Sequence, residues 1–173
     1  MKKISLITPL VAAALLFSGC QSKNETEVAA SFGTIERLDE ALNSIIDEDA
    51  VIEVIAEEHV WTEGPLWIPQ HNMLLFSDIP PNKIYKWTEE KGVEEYLTPS
   101  GYTGSVPSTS PEQGSNGLIL RSDNKLVLCQ HGDRRVSVMD APLDQPAASF
   151  IPIVHEYEGK KLNSPNDATF ASD

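Results

Sequence analysis

Asn72-Met73-Leu74-Leu75-Phe76, followed by Lys83-Ile84-Tyr85, can be laid on Asn124-Lys125-Leu126-Val127-Leu128, followed by Arg135-Val136-Ser137, at an offset of 52 residues. Just upstream, Glu63-Gly64-Pro65-Leu66-Trp67 matches Asn116-Gly117-Leu118-Ile119-Leu120 at an offset of 53. A third copy then begins, because Asn116 to Asp123 aligns with Asn166-Asp167-Ala168-Thr169-Phe170-Ala171-Ser172-Asp173 at an offset of 50. Each unit reads as strand, tight turn, strand, turn, strand, with no helix between. Repeats of this length point to solenoids, propellers or arrays, and short antiparallel strands without helices suit a propeller blade. Blades set radially leave few exposed edges. The reading is therefore all-β: a β-propeller of which the first two blades and the start of a third are present, since closure needs roughly four to eight blades. The copy at Asp123 runs straight on into Asn124-Lys125-Leu126, so the chain is expected to continue past Asp173 into further blades.

Upstream of the repeat, Ile35, Leu38, Leu42 and Ile45 recur at helical spacing, with Thr34 placed to cap. This predicts a short amphipathic helix over 34–46, packed on the outside of a domain that spans 34–173. Residues 20–33 are polar and small, as a flexible tether would be. Residues 1–19 read as a targeting segment: Lys2 and Lys3 precede an apolar run from Ile4 to Phe17 that is short for a membrane span. Leu16-Phe17-Ser18-Gly19-Cys20 resembles the lipobox of bacterial lipoproteins, which implies acylation of Cys20. The expectation is an exported protein, lipid-anchored to a bacterial membrane at the cell surface or on the periplasmic side. Gln21 is not the Asp that favours inner-membrane retention.

The chain has 173 residues, with 13 basic and 26 acidic side chains and a formal charge of −13. Such a balance argues against a nucleic-acid partner, since a phosphate backbone needs a basic face. The two cysteines are Cys20 and Cys129. With Cys20 acylated there is no disulfide framework, and the apolar run around Cys129 predicts a buried thiol rather than a nucleophile. A serine nucleophile is disfavoured as well, because no Gly-x-Ser-x-Gly is present.

In a propeller the first strand of each blade lines the channel. The repeat sets Glu63, Asn116 and Asn166 at the starts of three such strands, where radial geometry would gather them. One carboxylate and two amide carbonyls make an all-oxygen site, which suits Ca²⁺ or Mg²⁺ better than zinc. The alternative is turn chemistry, for which Asn-Gly and Asn-Asp are common. Trp61-Thr62-Glu63-Gly64-Pro65 is read as burying its acid between bulky and rigid neighbours, and a buried acid needs a partner.

Trp61 to Trp67, Leu75 to Pro80, Gly114 to Leu118, Cys129-Gln130-His131-Gly132-Asp133-Arg134-Arg135-Val136 and Leu162-Asn163-Ser164-Pro165-Asn166-Asp167 together resemble the gluconolactonases. Those belong with regucalcin (senescence marker protein) and the strictosidine-synthase-like propellers. The resemblance runs from about Leu38 to Asp173. It implies a six-bladed propeller that hydrolyses a small-molecule lactone at a divalent cation in the central channel, usually Ca²⁺, with Mg²⁺, Mn²⁺ or Zn²⁺ as alternatives. Glu63 matches the family's glutamate ligand and Asn166 its asparagine in the Ser-Pro-Asn-Asp motif. Asn116 and Asp167 fall at channel-facing positions near substrate, and His131, Arg134 and Arg135 match a loop beside the site. For the two arginines a structural turn held by Asp133 is an equal reading. The family's remaining ligands, including the catalytic aspartate, would lie beyond Asp173. The Pro-, Ser- and Thr-rich stretch from Gly101 to Gly114 resembles a loop that overhangs the channel mouth in one subgroup. Two rival functions stand beside the lactonase: a non-catalytic propeller binding module, and an esterase or phosphotriesterase on the same metal site.

Overall fold

The repeated stretch folds, in a computed structural model that describes residues 32–171, into two four-stranded antiparallel sheets. The first is formed by β1 (Thr62–Ile68), β2 (Met73–Asp78), β3 (Lys83–Thr88) and β4 (Gly92–Leu97), in that order. The second repeats the order with β5 (Ser115–Leu120), β6 (Leu126–Gln130), β7 (Arg135–Met139) and β8 (Phe150–Val154). A small hairpin of β9 (Glu156–Tyr157) and β10 (Lys160–Lys161) follows, turned by Glu158 and Gly159, both at positive φ as a tight hairpin turn requires. The chain is all-β. The leader expected over 1–19, Cys20 and most of the tether lie outside the described residues.

The two sheets share their irregularities as well as their order. Pairing of β1 with β2 shifts between Glu63 and Leu66, and pairing of β5 with β6 shifts between Ser115 and Leu118. A second shift falls between Ile84 and Tyr85 in one sheet and between Val136 and Ser137 in the other. Left-handed residues also correspond: Asn72 with Asn124, and Asn82 with Arg134. Bulges and left-handed positions re-aim strands and are set by local sequence, so their recurrence marks a structural repeat.

The core forms between the sheets. Ile68, Leu75, Ile84, Leu126, Leu128 and Met139 are fully or almost fully buried and form one cluster with Tyr96, Leu97 and Leu118. Burying each such aliphatic side chain contributes about 1.5–3 kcal/mol. Strand β6 is buried along its whole length, which explains why Leu126 to Cys129 reads as a continuous apolar run. The Tyr96 hydroxyl crosses between the sheets and donates to the Leu143 carbonyl at 2.8 Å.

The expected helix over 34–46 is corrected. Only a 3₁₀ turn, Glu40–Ser44, forms, and its cap is Asp39, which accepts from the Ala41 N–H at 2.8 Å, not Thr34. Leu38 and Ile45 are 86 % and 80 % exposed while Ile35 and Leu42 are half-buried, so the stripe does not pack as one face. Arg37 supplies the physical reason. Its guanidinium donates to Asn43 Oδ1 and to the Ile46 and Asp47 carbonyls, folding the segment back on itself. Asp39, Asn43 and Ser44 are residues whose side chains compete with helical hydrogen bonds.

The sheets meet where β1 approaches β5. Gly64 has φ +57°, and a Cβ there would lie 2.4 Å from the Asn116 carbonyl oxygen and 2.9 Å from the Leu118 nitrogen. Gly92 has a similar φ of +66° but open space around it. Gly64→Ala is therefore expected to lower unfolding stability of the full chain by about 2–3 kcal/mol, against about 1 kcal/mol for Gly92→Ala. Urea unfolding of both variants measures the difference. Equal losses would show that only the backbone angle matters and that the approach of the two strands does not.

Candidate functional site

The starts of the repeated units lie side by side. Gly64 touches the Asn116–Gly117 backbone, and the Gly117 N–H donates to the Asn166 carbonyl at 2.8 Å. A Cβ at Gly117 would lie 2.5 Å from Asp167 Oδ1 and 2.9 Å from the Asn166 carbonyl oxygen. Thus Glu63-Gly64, Asn116-Gly117 and Asn166-Asp167, far apart in sequence, are consecutive neighbours in space. The third copy, Asn166 to Ala171, forms no strand among the described residues, yet it docks on β5 through this contact.

Asn116 is the buried member, 4 % exposed. Its amide nitrogen lies 3.2 Å from the Pro165 carbonyl and 3.3 Å from His131 Nδ1. His131 Nε2 in turn faces Glu112 Oε2 at 3.5 Å. Asn166 and Asp167 are exposed, and Asp167 Oδ1 accepts the Ala168 N–H at 2.8 Å. Asn116, His131 and the Pro165–Asp167 segment are brought together.

Glu63 is half-buried rather than buried, and this corrects the reading of its surroundings. Trp61 is 49 % exposed and Pro65 is exposed. The carboxylate accepts from the Trp61 indole at 3.2 Å, and no hydrogen bond joins it to Asn116 or Asn166 among the described residues. It also borders a cleft of about 530 Å³ with Glu57, His59, Leu74 and Phe76. What meets Asn116 is the backbone of the next residue, Gly64.

Several polar residues inside the quoted motifs, to which the sequence assigned no part, hold these strands in place. Ser77 and Ser115 are fully buried; their hydroxyls lie 2.8 Å apart, and Ser77 donates to the Asn116 carbonyl at 2.9 Å. Asp78, 2 % exposed, accepts the Val60 and Trp61 N–H groups and faces His59 Nδ1 at 3.5 Å. Gln130, at the corresponding end of β6, donates to the Ser100 carbonyl at 2.9 Å. Asp78 thus anchors the segment entering β1, and Gln130 anchors the beginning of the connection from β4 to β5. The detectable signal was a polar side chain closing an apolar run. Glu112 had no local signal.

The arginines take structural parts. Arg135 pairs with Asp133 at 2.9 Å and donates to Gln130 Oε1 at 2.7 Å. Arg134 donates through Nε to the Leu162 carbonyl at 2.6 Å, steadying the link that carries Asn166. Asn82 does the same one unit earlier, where its Oδ1 accepts the Ser100, Gly101 and Tyr102 N–H groups.

Cys129 is fully buried. Burial, with a smaller effect from the Asp167 charge, pushes its thiol up to about 11. The thiolate is the reactive form, so at pH 8 the group stays protonated and inert. In a Cys20→Ser background, Cys129 is expected to resist a disulfide reagent at pH 8 until denaturant is added. Rapid labelling of the native protein would contradict a structural thiol.

The profile of the SMP-30/Gluconolactonase/LRE-like region matches residues 61–173. A gluconolactonase of Zymomonas mobilis is 35 % identical over 166 residues, covering 95 % of this chain and 46 % of that protein. The solved gluconolactonase of Xanthomonas campestris, described as important in glucose secondary metabolic pathways, superposes with a TM-score of 0.64 at 26 % identity, over 84 % of this chain and 43 % of that one. A crystal structure of a candidate gluconolactonase gives a TM-score of 0.55 at 31 % identity, over 69 % of this chain and 36 % of that one. The chain thus spans about half or less of the length of the relatives it matches. Two sheets with one order, one set of bulges and adjoining inner strands, together with these matches, place the chain in the SMP-30/gluconolactonase/LRE-like family.

Proposed function

We propose that the two sheets are the first two blades of a six-bladed propeller, that Asn166 opens the third, and that the protein hydrolyses a sugar lactone at a divalent-cation site in the channel. The observation that carries this reading is the side-by-side placement of Glu63-Gly64, Asn116-Gly117 and Asn166-Asp167. The gluconolactonases among the relatives support the choice of a lactone.

The donor set fits a hard cation. The ligands proposed from this chain are the Glu63 carboxylate and the Asn166 amide oxygen. Oxygen donors of this kind suit Ca²⁺, with Mg²⁺ next. Glu63 and Asn166 would hold the ion. The chemistry supplied by the bound ion is polarisation of the lactone carbonyl and stabilisation of the negative charge that develops on its oxygen. Asn116 presents Oδ1, with its amide nitrogen already engaged, as an acceptor for a sugar hydroxyl, and Asp167 presents its carboxylate beside it. His131 stands next to Asn116. A buried acceptor that requires a hydroxyl partner discriminates strongly against analogues lacking one. We further propose export and membrane attachment through a lipid on Cys20, from the lipobox resemblance.

Glu63→Gln in the full-length protein is expected to lower lactone turnover by roughly 100-fold or more, since it removes the charged ligand proposed for this part of the chain. The assay runs a panel of a sugar lactone, an aryl ester and a phosphotriester, each with and without chelator. Full activity in the variant removes Glu63 from the role. Hydrolysis of the ester or phosphotriester in preference to the lactone changes the substrate class, and no hydrolysis of any of the three favours a binding module.

A further inference from the structure

We infer that Glu112, on the long connection between β4 and β5, acts through His131 to hold the Asn116 carboxamide in one orientation; the inference rests on the reading of Asn116 as a substrate contact. The Pro165 carbonyl oxygen can only accept, so the Asn116 atom 3.2 Å from it is the amide nitrogen. That same nitrogen lies 3.3 Å from His131 Nδ1. An amide nitrogen only donates, so Nδ1 must offer its lone pair, and the proton of the neutral ring sits on Nε2. Nε2 faces the Glu112 carboxylate at 3.5 Å, which favours a proton on that nitrogen. Both N–H bonds of Asn116 are thereby committed, and Oδ1 is left as its acceptor.

The connection delivers Glu112 because it is pinned on both sides. The Gly114 N–H donates to the Ile79 carbonyl at 2.8 Å, and a Cβ at Gly132 would lie 2.5 Å from the Gln113 carbonyl oxygen. Further out, Thr103 donates through its hydroxyl to Asp133 Oδ2 at 2.6 Å. The loop therefore lies on the β6–β7 turn that carries His131. Without the carboxylate only the Asn116 N–H, facing Nδ1 at 3.3 Å, still favours Nε2–H, and the preference weakens. A ring protonated at Nδ1 would oppose the Asn116 N–H, and the carboxamide would lose its fixed direction.

Glu112 is accordingly a positioning residue, and its side chain is exposed enough to replace without threatening the fold. Long-range ¹H–¹⁵N spectra of the full chain above the imidazole titration, with His131 assigned from a His131→Gln variant, report which ring nitrogen carries the proton. Nε2–H is expected in the parent and in Glu112→Gln, whose side-chain oxygen still accepts. Glu112→Ala is expected to give a mixture of both tautomers. In the same variant KM for a sugar lactone should rise roughly three- to tenfold, with kcat changing less, and Glu112→Gln should restore it toward the parent. A parent protonated at Nδ1, or a Glu112→Ala spectrum identical to the parent's, overturns the inference whatever the activity. A tautomer shift in a protein that turns over no lactone supports the positioning and tells against the lactonase reading alone.

Discussion

Everything in the described structure depends on one close approach of backbone to backbone. At Gly64 the first strand of one sheet comes so near Asn116 and Leu118 in the first strand of the next that no side chain fits. Gly117 repeats the arrangement toward Asn166 and Asp167. A glycine at both places lets the start of one repeated unit touch the start of the next, and each contact carries the polar residue just before it to the same end of the structure. A bulge at the same point of β1 and β5 turns the strand there, so the approach and the register shift are one device.

Polar cross-links then hold each unit to the next, and they follow position more closely than chemistry. Asp78 and Gln130 close the second strand of each sheet, one as an acceptor of N–H groups and the other as a donor to a carbonyl. Asp78 ties down the chain entering β1, and Gln130 the connection that leads from β4 to β5. Asn82 and Arg134 occupy the left-handed position of the following turn, and both reach forward to the link leading to the next unit. An amide and a guanidinium have little in common except the ability to satisfy several backbone groups at once. That shared ability suffices to tie each link to the turn before it.

The candidate site inherits its order from these links. Asn116 is fixed by three elements at once: its carbonyl by Ser77, and its amide nitrogen by Pro165 and His131. Glu63 is held less firmly, by a single indole, on strand β1 at the border of an open cleft. The contrast separates a pre-set neutral acceptor from a carboxylate with room to adjust. Cys129, although next to Gln130 and near the Asp167 charge, is kept out of the chemistry by burial.

The repeat, the all-β class and the matching places of Glu63 in β1 and Asn116 in β5 were legible in the sequence. Alternation, turn residues and a fixed offset are local signals, and each unit folds by its own local rules. The segment over 34–46 misled for the same reason, since its apolar spacing was helical but the Arg37 guanidinium and the capping Asp39 closed it as a single 3₁₀ turn. Only the tertiary structure decided which polar groups meet. Glu112 lies in a loop without pattern, and it reaches His131 because Gly132 lets the His131 turn pack against Gln113 while Gly114 lets the loop pack against Ile79. The half-buried state of Glu63 was equally invisible, because burial depends on what neighbouring elements cover, which no spacing along one strand records.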